Sequence, residues 1–240
     1  MFFALSALQV MGKVLSSFVG HRAGVLMTGF LGGILSSTAT TVRLVKDSHD
    51  AEGSQSVRIA AMQAAIIAML LQAVVLVGAG SVEALQTVSV HFLVLFLITL
   101  AMAVILWHRQ SRPRNMVTAD EKVLDVLESL KLTVFIVLIL AASRGAQTWL
   151  GNDGLMALTF LVSLFEVHGS LISTAQLLAA DQVSLAQYEK LVEISLLASF
   201  VSKLVLIATL SSAPFKKRAV VSLMPAVLFL LLHLLGWIHI

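Results

Sequence analysis

Eight runs of about twenty mostly apolar residues leave this chain few ways to fold. They lie near 1–20, 25–45, 57–79, 85–107, 132–150, 155–178, 187–210 and 219–238. The last reads AVVSLMPAVLFLLLHLLGWI. At about 1.5 Å per residue, such a run spans the roughly 30 Å hydrocarbon core of a bilayer. Lipid offers no partner to backbone N–H and C=O groups, so runs of this length cross as helices. Only 12% of the 240 residues are charged and mean hydropathy is +0.97, whereas a soluble domain carries about 25% charged residues. That density cannot cover a water-facing globule, so soluble enzymes, disordered chains, coiled coils and disulfide-rich secreted modules are excluded. The expected fold class is all-α, a polytopic integral membrane protein, with the lipid bilayer as its first partner.

The opening run, MFFALSALQVMGKVLSSFVG, has no basic stretch before it and no clear A-x-A site. It reads as the first membrane segment rather than a removed signal peptide. A net charge of +3 fits loop lysines and arginines that set orientation, with no nucleic acid partner implied. The chain has no cysteine, which removes disulfides, thiolate metal sites and thiol nucleophiles. H-E-x-x-H, G-x-S-x-G and phosphate-cradling glycine loops are absent. Ser199 and Lys203, four residues apart, could couple a serine to a lysine base, but no oxyanion hole accompanies them. No enzymatic activity, catalytic residue or cofactor is expected, and the sequence names no metal.

The segments fall into two groups of four. Repeat one occupies 1–107 and repeat two 132–240, joined by a basic linker at 108–131. The linker holds HRQSRPRN and then a capping box, Thr118 with Glu121, opening a short interfacial helix. At an offset of 136 residues Gly33 falls on Gly169, Leu35 on Leu171, and Ser37-Thr38-Ala39 on Ser173-Thr174-Ala175. If all eight segments cross, the repeats are parallel and basic residues divide nine against five, a weak orienting bias. If segments two and six are re-entrant, the repeats are inverted. Twelve basic residues then lie on one side, against Arg144 and Lys190 on the other. Segments two and six are also the most polar and the richest in small residues, as discontinuous segments are. The 25–45 run nevertheless leaves little chain for a returning arm, so both topologies stay open.

Segment two contains GFLGGILSSTATTV, with Gly29, Gly33, Ser37 and Thr41 recurring every four residues. Such a row permits close helix packing. Its hydroxyls could equally replace the hydration shell of an ion. In segment six Glu166 reads as the only acidic residue deep inside an apolar segment, sharing a helix face with Gly169, Ser170 and Ser173. His168 falls about 200° round from it, so the two need not share a partner. A buried carboxylate in lipid costs at least about 2.5 kcal/mol unless paired or hydrated. Lys203, on one face with Ser195 and Ser199, reaches nearly the same depth, so a Glu166–Lys203 ion pair is expected, as a relay or a structural bridge. Gln63 and Gln72 are expected to bond between helices.

With these residues in view, the chain resembles the membrane domain that follows the MgtC/SapB domain in some bacterial proteins. GFLGGILSSTATTV carries the likeness, supported by the 165–175 stretch and by FVSK at 200–203. The family pattern has acidic residues where this chain has Glu166 and His168, and asparagine in place of Ser199. The resemblance implies a bacterial inner (cytoplasmic) membrane location and a transport role. A magnesium association is not carried over, because the MgtC/SapB domain is not within these residues.

Two functions follow. In the preferred one a small ion or solute is transported through a midplane site between the repeats. Ser36, Ser37, Thr38, Thr40 and Thr41 line it from one half, and Glu166, His168, Ser170, Ser173 and Thr174 from the other, with Lys203 adjacent. In the alternative the chain is a non-transporting subunit or scaffold, packed against a homo-oligomer copy or a membrane partner protein.

Overall fold

The computed structural model describes residues 21–49, 55–108 and 154–238. Segments one and five and the 109–131 part of the linker, with its expected interfacial helix, lie outside them. Among the described residues there are seven α-helices and no strand. They are α1 (His21–Lys46), α2 (Gln55–Gly80), α3 (Val82–His108), α4 (Gly154–Ser163), α5 (Val167–Ala179), α6 (Leu185–Leu210) and α7 (Ala213–Leu234). A single 3-10 turn, Asp47–His49, follows α1.

Five of these segments are long and apolar enough to cross a membrane: Gly24–His49, Gln55–Ala79, Val82–His108, Leu185–Leu210 and Ala213–Leu234. The chain is a multi-pass membrane protein. α2 and α6, at 26 residues each, measure about 39 Å, enough to cross with some tilt. Leu93, Leu97, Leu100 and Val104 form an exposed stripe along α3, and Val221, Leu228 and Leu231 are exposed on α7. Apolar surface of that extent needs lipid against it.

Segments two and six are each interrupted. α1 leaves helical geometry at Ser36 (φ −165°, ψ 107°), and the expected sixth segment is divided into α4 and α5 by 164–166. The broken pieces keep their polar residues in apolar surroundings because new caps satisfy the freed backbone groups, as described below.

The residues form two compact units. Among described residues the first comprises 21–49, 55–71, 93–108 and 203–226, and the second 72–92, 154–202 and 227–238. The core of the first is built on α2, with Ile59, Met62, Ile66 and Met69 fully buried beside Leu95, Phe215 and Leu223. Gly29 and Gly33 of α1 bring its backbone onto that of α2: a Cβ at Gly29 would meet the Ala61 carbonyl, and one at Gly33 would lie 2.5 Å from Ala65 Cα. Gln63 ties α2 to α7, its Nε2 donating to Ser222 Oγ at 3.0 Å and Ser222 O at 3.2 Å. Gln63 thus bonds between helices as expected. The core of the second unit is built on α6, around Tyr188, Leu191, Leu196 and Phe200 with Leu171, Val88 and Leu230.

Candidate functional site

Each break is closed by a side chain acting as a helix cap. Ser36 Oγ accepts from Ala39 N at 3.2 Å, three residues on. Glu166, in extended geometry (φ −142°, ψ 94°), accepts on Oε1 from His168 N at 2.9 Å and Gly169 N at 3.3 Å. Oxygen caps at such positions satisfy N–H groups that a helix start leaves bare. The carboxylate also suits the positive end of the α5 dipole.

This arrangement corrects two local expectations. Glu166 does not share a helical face with Gly169, Ser170 and Ser173, because it lies at the break and not within the helix. Nor are Glu166 and His168 on opposite sides: the extended backbone at Glu166 brings His168 Nδ1 to 3.5 Å from its Oε1. The Glu166 side chain is 39% exposed, so it is not the deeply buried acid of the chain.

The remaining site residues divide between the two units. In the first, Ser37 and Thr41 are buried, with Thr41 Oγ1 donating back to Ser37 O at 2.8 Å, while Thr38 and Thr40 are half-buried. Thr40 also faces Gly32 across the break, where an added Cβ would meet Thr40 Oγ1 at 2.6 Å. Lys203 belongs to this unit and is fully buried, its Nζ 3.5 Å from Met69 Sδ. In the second unit Ser170 Oγ lies 3.0 Å from Ser195 Oγ, both buried, so α5 and α6 meet through hydroxyls. Thr174 is buried and donates to Leu171 O at 3.0 Å, whereas Ser173 is exposed. The expected ion pair joined residues of different units. Within its own unit Glu166 is occupied with the α5 N-terminus.

Among the described residues, a further polar cluster lies in the second unit, on residues outside the expected site. Glu193 of α6 and His91 of α3 are only 2% and 1% exposed. They meet His233 of α7 and the half-buried Glu189, one turn before Glu193. The signal was present: His91 and His233 are ionisable residues inside apolar runs, and Glu189 and Glu193 have helical i, i+4 spacing. Glu193 escaped notice because it lies near the start of its run.

A family pattern covers most of the chain. Residues 4–211 match the family described as Domain of unknown function (DUF4010). The chain belongs to that family. The match takes in the SSTATT stretch, both helix breaks and Lys203, and stops before His233. No curated protein and no solved structure matches this DUF4010 chain.

Proposed function

We propose that this DUF4010 protein transports a small ion or solute, and that a capped helix break is what holds such a species. The observation that carries this is the pair of capped breaks, one in each unit, at Ser36 and Glu166. A helix that only packs gains nothing from interruption in lipid. A transporter uses interrupted helices to aim freed backbone groups and helix ends at its substrate.

An inverted duplication belongs to the same reading, and a register of 130 residues can be set beside that of 136. Gly24 corresponds to Gly154, Phe30 to Phe160, Leu31 to Leu161 and Ser36 to Glu166. Helix starts recur at the same interval: Gln55 with Leu185, and Val82 with Ala213 one residue later. The offset of 136 lays Gly33, before one break, on Gly169, after the other. α2 begins among residues of the first unit and ends among those of the second, and α6 does the reverse. α1 stays wholly within the first unit and α4–α5 wholly within the second. Re-entrant segments two and six belong to this reading, and with them the twelve-to-two distribution of basic residues.

The alternative, a non-transporting scaffold, loses part of its ground, since the Gly29–Gly33 row is already covered by α2 of the same chain. A bacterial inner-membrane location belongs to this proposal and rests on the resemblance of 29–42 to the membrane domain that follows the MgtC/SapB domain.

Solvent access tests it. In the cysteine-free chain, Thr38→Cys and Ser173→Cys are introduced singly and treated in cells with an impermeant thiol reagent. Modification at both positions is expected of a wettable site. Protection of either would overturn transport through these segments.

A further inference from the structure

The buried cluster of the second unit has the composition of a metal site, and nothing in the transport reading requires it. Three helices build it. His91 comes from α3, Glu189 and Glu193 from successive turns of α6, and His233 from the last turn of α7. His91 lies nine residues into α3 and Glu193 eight into α6, about 13 and 12 Å along their helices. His91 and Glu193 therefore sit some two turns in from the starts of their helices, and His233 reaches them from the last turn of α7.

One ligand atom from each residue falls within 4.8 Å of all the others. Glu193 Oε1 is 2.7 Å from His233 Nδ1 and 3.0 Å from His91 Nε2. His91 Nε2 is in turn 3.3 Å from His233 Nδ1 and 3.6 Å from Glu189 Oε1. In a tetrahedral site with metal–ligand bonds of about 2.0–2.2 Å the ligand atoms are about 3.3–3.6 Å apart. The observed separations take in that range.

A histidine–carboxylate hydrogen bond is the simpler account, and its alignment is missing. Glu193 Oε1 is buried and has no hydrogen-bond donor in line with it, although two ring nitrogens lie within 3.0 Å. Buried carboxylate oxygens normally find such a donor. His91 Nε2 and the His233 ring stand in hydrogen-bond geometry with each other, while their short, unaligned approach to Glu193 Oε1 is what ligand atoms aimed at a common centre produce.

Charge argues the same way. Two carboxylates, one of them buried, face two imidazoles, and a divalent cation would balance their charge. Two imidazole nitrogens with two carboxylate oxygens favour zinc and its neighbours over magnesium and calcium, which prefer oxygen alone. The Glu189 side chain, 30% exposed where Glu193 is 3%, provides the access side.

We propose that His91, Glu189, Glu193 and His233 bind one divalent transition-metal ion of the zinc class. The site stands whether or not the ion is the transported species.

The test uses the full chain, free of any histidine tag, purified in detergent. Zinc content after gel filtration should approach one ion per chain. Cobalt(II) added to metal-free protein should give visible absorption bands of tetrahedral nitrogen–oxygen coordination. Glu193→Gln and His233→Gln should weaken zinc binding by at least about 10-fold, the lower range for loss of even an outer-shell partner. The half-exposed Glu189→Gln serves as the variant least disturbing to folding. Wild-type protein that takes up no zinc, gives no such cobalt bands, or binds zinc as tightly after Glu193→Gln would overturn the proposal, as would equal affinity for magnesium.

Discussion

At the scale of single residues, polar side chains in this protein act according to the backbone they stand on. Glu166 stands at a break, so its carboxylate has two N–H groups to accept and remains partly exposed. Glu193 stands in mid-helix, so its carboxylate has no local donor and depends on side chains from other helices. Glu166→Ala should destabilise the protein by about 0.5–2 kcal/mol through loss of the cap, and Glu166→Gln, which keeps an acceptor, by less. Thermal unfolding in detergent would measure both. The glycines of the first unit have equally local consequences. Gly33→Ala sets a methyl group against the Ala65 backbone, which cannot swing aside as a side chain could. A loss of about 1–3 kcal/mol is expected from the same unfolding measurement. Gln63→Leu should cost about 0.6–1.7 kcal/mol, the range for interhelical hydrogen bonds in lipid.

At the scale of elements, hydropathy anticipated where helices lie but not where they break. The runs at 57–79, 85–107 and 187–210 correspond to α2, α3 and α6 within three residues, and that at 219–238 to α7 within six. Long apolar runs dominate their own local energetics, so neighbours matter little. The polarity of 25–45 and 155–178 pointed to discontinuous segments, and both are interrupted. The positions of the breaks were not legible, because serine and glutamate serve as helix caps and as helix interior residues alike. Ser36→Ala tests the first break: removing the acceptor for Ala39 N should destabilise by about 0.5–2 kcal/mol. Extension of the helix through residue 36 would appear as added ellipticity per chain.

At the scale of the whole molecule, the proposed inverted arrangement makes a prediction independent of any substrate. Single cysteines at Ser54 and Gln182, in this cysteine-free background, should react with an impermeant reagent from opposite sides of the membrane. Reaction from the same side would mean parallel repeats and eight full crossings. What the sequence by itself determined is the solvent and the class of fold: a low charge density and long apolar runs admit only membrane helices, since transfer into lipid sums residue by residue. It determined family membership as well, through residues spread over 4–211. Which polar residues meet was decided only by tertiary structure. His91, Glu189, Glu193 and His233 come from three helices, with 142 residues between the two histidines. Their contact depends on how α3, α6 and α7 pack. Hydropathy is a property of one stretch of chain, and the surroundings of a buried charge are a property of several.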